Sequence, residues 1–138
     1  MRIYRLTKAK YADAAFSGIG GMRAAGRWHR VGTPVVYAAD HAASALLEIV
    51  VHTEAVALLQ HEYVLFTVEL DPERHLLTLT PEDLPEGWRG PLWSAGVQAV
   101  GTRWFEDQDS VALEVPSAVV PHRLAGRKIL LANSTGAL

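Results

Sequence analysis

The chain has 138 residues, which suits one domain spanning 1–138 and leaves little room for a second. A hydrophobic fraction of 49% and a charged fraction of 20% exclude a disordered chain, and a net charge of −2 argues against a dedicated nucleic-acid binder, which would carry a basic excess. Cysteine is absent, which excludes a thiol nucleophile, a zinc–thiolate site and a disulfide framework.

Met1 to Leu6 lacks the apolar run and small-residue cleavage site of a signal peptide. No apolar stretch approaches the roughly 20 residues needed to cross a bilayer. A cytoplasmic protein without membrane or direct nucleic-acid contact is therefore expected. Within that start, Ile3 to Leu6 reads as a first strand. Ala12 to Gly26 carries Gly18, Gly20, Gly21 and Gly26 among small residues, a density that suits a closely packed loop. Gly26 to His29 and Pro34 to Tyr37 read as two strands joined by a turn at Val31-Gly32-Thr33.

Asp40 is the expected N-cap of a helix running to about Thr53. On a 3.6-residue repeat Ala42, Leu46, Ile49, Val50 and Thr53 share one face, and Leu47 and Val51 widen the apolar arc. That helix is expected to be buried over more than half its circumference, leaving a stripe of His41, Ser44, Glu48 and His52. Tyr63 to Leu70 is the clearest strand, ended by Asp71-Pro72. Pro81, Pro85, Gly87, Gly90 and Pro91 mark an irregular connection. Trp93 to Phe105 reads as a second helix, Val111 to Val115 and Ala118 to Val120 as strands broken at Pro116-Ser117, and Arg127 to Leu131 as a last strand. The expected class is α+β, with more strand than helix.

Three segments could carry chemistry. In Gly26-Arg27-Trp28-His29 an arginine follows a glycine, so open backbone and a planar guanidinium lie side by side, a pairing suited to a diphosphate or carboxylate. The bland alternative is a surface arginine beside a structural glycine. The nearby glycines do not make a dinucleotide fingerprint, because Arg23 stands where the third glycine belongs. Glu48 is a lone carboxylate on a mostly apolar helix, either a solvated residue or a placed functional group. A metal site from Glu48 and His52 lacks a third ligand at recognisable spacing, so no metal is expected. Ser117, between two apolar strands, has no Gly-x-Ser-x-Gly elbow and reads alone as a turn residue.

Taken together, Arg27 within Gly-Arg-Trp, Glu48 within Leu-Leu-Glu and Ser117 within Val-Pro-Ser-Ala resemble the RES domain, named after an arginine, a glutamate and a serine. Tyr4-Arg5, the glycine-rich stretch to Gly26, Val35 to Ala38, His52, Gly101 with Trp104, and Leu130 to Asn133 extend the resemblance through nearly the whole chain. It implies a compact single domain similar to the ADP-ribosyltransferase fold, with short mixed sheets around an NAD-binding cleft. It also implies a toxin that consumes NAD+ by hydrolysis or phosphorolysis and is paired with an Xre-type antitoxin. Transfer of ADP-ribose to a protein acceptor is the alternative chemistry, and a non-catalytic binding module the alternative class. A homodimer is left open. Where the family reads Asn-Pro-x-His, this chain has Asn133-Ser134-Thr135-Gly136, so a shortened or divergent C-terminal end is expected.

The chemistry fits one carboxylate. Nicotinamide in NAD+ is already cationic and leaves neutral, so no proton donor is required, unlike in glycoside hydrolysis. Glu48 would stabilise positive charge on the ribose and Arg27 would hold the pyrophosphate, making these two the expected catalytic pair. Tyr37 would offer a ring face near nicotinamide with its hydroxyl free to bond, and Ser117 would touch the substrate. NAD+ enters as substrate, and no cofactor is expected.

Overall fold

A computed structural model describes residues 1–119 and 127–132. Its core is one six-stranded sheet in the order β3-β1-β2-β6-β5-β4, formed by β1 (Arg2–Lys8), β2 (Val35–Ala39), β3 (Tyr63–Glu69), β4 (Leu76–Thr78), β5 (Ala112–Pro116) and β6 (Arg127–Ala132). β4 and β5 run parallel, and the other neighbours are antiparallel. The short mixed sheets expected from the resemblance are thus joined into one. The helices are α1 (Ile19–Arg23), α2 (Ala42–His52), α3 (Ala55–Leu59), α4 (Pro72–His75) and α5 (Ala95–Asp107). Among the described residues helices hold more of the chain than strands, the reverse of the expected balance, because short helices fill the connections.

The central strands are apolar on both faces. Val36, Ala38, Ile129 and Leu131 join Ile3 and Leu70 in one cluster. Val35, Leu113, Val115 and Leu130 join Trp28, Val97 and Trp104 in the other. Covering of both faces explains why β2, β5 and β6 read as continuous apolar runs rather than alternating ones. α5 covers the second face. Ser94 caps it by accepting the Val97 amide at 3.3 Å, and Gln108 ends it in the left-handed region at φ 55°. Gly101 lets this helix touch the backbone beneath it: a Cβ there would lie 1.9 Å from the Trp28 carbonyl oxygen.

That contact explains a departure from the expected strands. Gly26 to His29 is not a strand. Its polar groups bond to α5 and to each other, with Gln98 Nε2 donating to the Gly26 carbonyl at 3.1 Å and the Arg30 amide to Thr102 Oγ1 at 2.9 Å. The glycine-rich stretch folds into a 3₁₀ turn at Ala9–Ala14 and the single-turn α1. Ala118 and Val119 form a bend rather than a strand, while Val120 and the divergent end at 133–138 lie outside the described residues. α2 begins after His41 instead of Asp40, with no side-chain cap. Its apolar arc is not buried: Leu46 is 50% exposed and Val51 49%, and Ala45 is the buried residue. The helix is turned so that Glu48 faces inward.

Candidate active site

Glu48 projects from the middle of α2 toward the start of β6, and its carboxylate is held from two sides. Ser117 Oγ donates to Oε1 at 3.3 Å, and Lys128 Nζ donates to Oε2 at 3.0 Å. His52, one turn further along α2, approaches Oε2 at 4.0 Å while remaining largely exposed. The Glu48 and Lys128 side chains are only 18% and 19% exposed, so the pair is partly withdrawn from water and its mutual field is weakly screened.

Tyr37 completes the corner. It pairs with Leu130 across β2 and β6, which places Lys128 on the same sheet face and diagonally opposite. The Lys128 ammonium lies over the Tyr37 ring, 4.8 Å from its centroid. The tyrosine hydroxyl points the other way, into a contact of 2.5 Å with His29 Nδ1. His29 is buried, and its Nε2 faces the Ala24 carbonyl at 2.8 Å. Gly26 is required here because a Cβ would come within 2.8 Å of both the His29 ring and the Tyr37 oxygen. Burial pushes the phenol well above its usual range and the Glu48 charge adds to it, against a backbone contact from Trp28. The tyrosine stays neutral and presents its ring, not an ionisable oxygen, to the Lys128 side.

Arg27 lies across the cleft. Its Nη1 donates to the Trp88 and Gly90 carbonyls at 2.9 and 2.7 Å, which fastens the irregular segment before α5 to the cleft wall. The guanidinium plane therefore organises the wall as well as lining it. Two adjoining hollows of about 180 and 270 Å³ share Tyr37, Glu48, His52 and Lys128 in their walls, and Arg27 and Trp93 line the smaller one. A larger hollow of about 390 Å³ between α2, α3 and the β1–β3 edge is lined by aliphatic side chains and Tyr63, and holds no group able to do this chemistry.

The structure thus brings together Arg27, Tyr37 and Glu48 around one cleft. Ser117 differs from its expected place: it is 2% exposed and meets Glu48 rather than the cleft surface. The Tyr37 hydroxyl, expected to be free, is engaged by His29. Two residues escaped sequence reasoning. Lys128 carries a weak signal, a charge two residues before Leu130 in an apolar strand, but its meaning depends on the pairing of β2 with β6. His29 carries none, since its partners are set by the fold of the glycine-rich stretch. No group of three potential metal-ligating side chains occurs among the described residues.

What this arrangement can do follows from its charges. A carboxylate beside an aromatic face, both partly desolvated, attracts and stabilises a cation. The family model described as the RES domain matches residues 2–136. The chain is 39% identical over 122 residues to Toxin Res of Photorhabdus laumondii, covering 88% of this chain and 77% of that protein. It is 36% identical over 115 residues to the Prs ADP-ribosylating toxin of Sphingobium sp., covering 80% of this chain and 70% of that one. Among solved structures, a chain of the M. tuberculosis MbcT–MbcA toxin–antitoxin complex superposes with a TM-score of 0.72 at 29% identity, over 96% of this chain and 73% of its own.

Proposed function

The chain belongs to the RES domain family, and on that premise we propose that its cleft binds NAD+ and breaks the bond between nicotinamide and ribose. The observation that carries this reading is the cation corner: Lys128 Nζ sits between the Glu48 carboxylate and the Tyr37 ring, at 3.0 and 4.8 Å. A site that holds an ammonium this way offers the same two partners to a nicotinamidium ring or to a ribosyl cation. As the bond breaks, its electron pair leaves with nicotinamide, which becomes neutral, and the positive charge passes to the ribose. Glu48 stabilises that charge, while Ser117 fixes the carboxylate from behind. Arg27 contributes the planar donor for the pyrophosphate. Water or phosphate then captures the ribosyl cation.

A second reading is transfer of ADP-ribose to a protein, favoured by the 36% identity to a relative named as an ADP-ribosylating toxin. Acceptors enter after the same cation has formed, so both readings use the same residues. The likeness to a chain of a toxin–antitoxin complex supports a further part of the proposal, that the protein is a toxin paired with a separate antitoxin, and we propose that this partner restrains it by covering the cleft. One experiment covers these readings. The purified protein is incubated with NAD+, phosphate and a cell lysate, and products are followed by mass spectrometry with and without the protein encoded beside it. Free nicotinamide with ADP-ribose or its phosphorylated form supports cleavage, and a protein heavier by one ADP-ribose supports transfer. Loss of either product on adding the neighbouring protein supports restraint. Intact NAD+ after prolonged incubation contradicts the enzymatic proposal.

A further inference from the structure

We propose that Lys128 is a resident cation of the active site, which holds Glu48 and Tyr37 until the charged nicotinamide ring of NAD+ displaces it. The inference rests on the reading of the cleft as an NAD+ site. Lys128 makes the two contacts that the substrate's own cation needs, a carboxylate at 3.0 Å and an aromatic face at 4.8 Å. Both cannot be kept at once. Two positive charges packed into one partly buried corner repel strongly, and the carboxylate that neutralises one is lost to the other.

The setting of Lys128 suits displacement. Its Cα is fixed between β2 and β5, opposite Ala39 on one side and Val115 on the other. The ammonium, by contrast, ends a flexible four-carbon stem and can swing away. Among the described residues, the charged and titratable groups around it are Glu48 and His52 from α2, Tyr37 from β2, and Tyr4 and Arg5 from β1 in the wall of the larger of the two adjoining hollows; Arg27 completes the charge around the smaller one. Substrate charge then becomes a criterion of binding. The oxidised ring must displace Lys128 to reach Glu48, whereas the neutral ring of NADH does not repel the ammonium and binds with the Lys128–Glu48 pair intact. Lys128 thus sets both the apparent affinity for NAD+ and the discrimination between the two redox forms.

The test measures binding by calorimetry at pH 8, with a carbocyclic NAD+ analogue that cannot lose nicotinamide and with NADH. Wild type, Lys128→Met, Lys128→Gln and Lys128→Arg are compared. Removal of the cation in the Met and Gln variants is expected to tighten the NAD+ analogue by about tenfold and to raise its preference over NADH by a similar factor. Lys128→Arg, which keeps a cation, is expected to stay within about threefold of wild type. The Gln variant carries the test if the Met variant does not melt cooperatively. NAD+ analogue affinity that is unchanged or weaker in both neutral variants overturns the proposal alone. Failure of every protein, wild type included, to bind the analogue overturns the NAD+ reading and this proposal with it.

Discussion

The His29 imidazole carries its proton on Nε2, because the Ala24 carbonyl it faces at 2.8 Å can only accept. Nδ1 is then an acceptor, and the Tyr37 hydroxyl must donate to it. This fixes the tyrosine ring against the cleft and makes His29 a positioning residue. Burial lowers the imidazole below its usual range, with the Ala24 bond opposing that shift. A base whose pKa is depressed by folding binds more protons in the unfolded chain. Its stability contribution is therefore full above the ordinary imidazole range, near pH ~6.5, and is lost as pH falls through the depressed value. His29→Asn should cost about 1–3 kcal/mol at neutral pH, since it leaves buried polar groups without their partners. Denaturant midpoints measured from pH 7.5 down to 5.5 should fall more steeply for wild type than for the variant. Parallel slopes would remove His29 from the acid response.

At the scale of elements, α5 and α2 show what can and cannot be read from the chain. α5 was legible as a helix at Trp93 to Phe105, and it lies two residues further on, at Ala95–Asp107, where Ser94 caps it. Its dependence on Gly101 is written only in the fold, where a Cβ would strike the Trp28 carbonyl. Gly101→Ala should lower stability by about 3 kcal/mol, because the obstacle is backbone rather than a yielding side chain. A thermal melt within a degree of wild type would show that α5 can shift freely. α2 was legible as a helix but not in its rotation. Periodicity turned the arc of Leu46, Leu47, Val50 and Val51 inward, yet these residues are 38–50% exposed and Glu48 is the one drawn toward the sheet. Amphipathic patterning finds the largest apolar face, and here the inward direction is set by partners of Glu48 on β6 and after β5. α3, α4 and β4 span five residues or fewer, too short for any period to register. The three residues Arg27, Glu48 and Ser117 were legible as a set through the family resemblance, whereas the split of roles between Ser117 and Lys128 depends on strand order.

For the whole molecule, sheet order converts distant segments into one site. Placing β6 between β2 and β5 brings Lys128 beside Tyr37 and close to Glu48, although Glu48 and Lys128 are 80 residues apart in sequence. In the same arrangement the Glu48 carboxylate accepts from both the ammonium of Lys128 and the hydroxyl of Ser117. On the proposed reading, cleavage of NAD+ depends on Glu48 more directly than on any other described side chain. The decisive measurement is the rate of nicotinamide release from NAD+ by wild type and Glu48→Gln, with circular dichroism and thermal melts confirming that both are folded. Glutamine keeps the shape and removes the charge, so the account predicts a fall of roughly 100-fold or more, the scale of losing one electrostatic stabiliser. Near-wild-type nicotinamide release by a well-folded Glu48→Gln protein would contradict it.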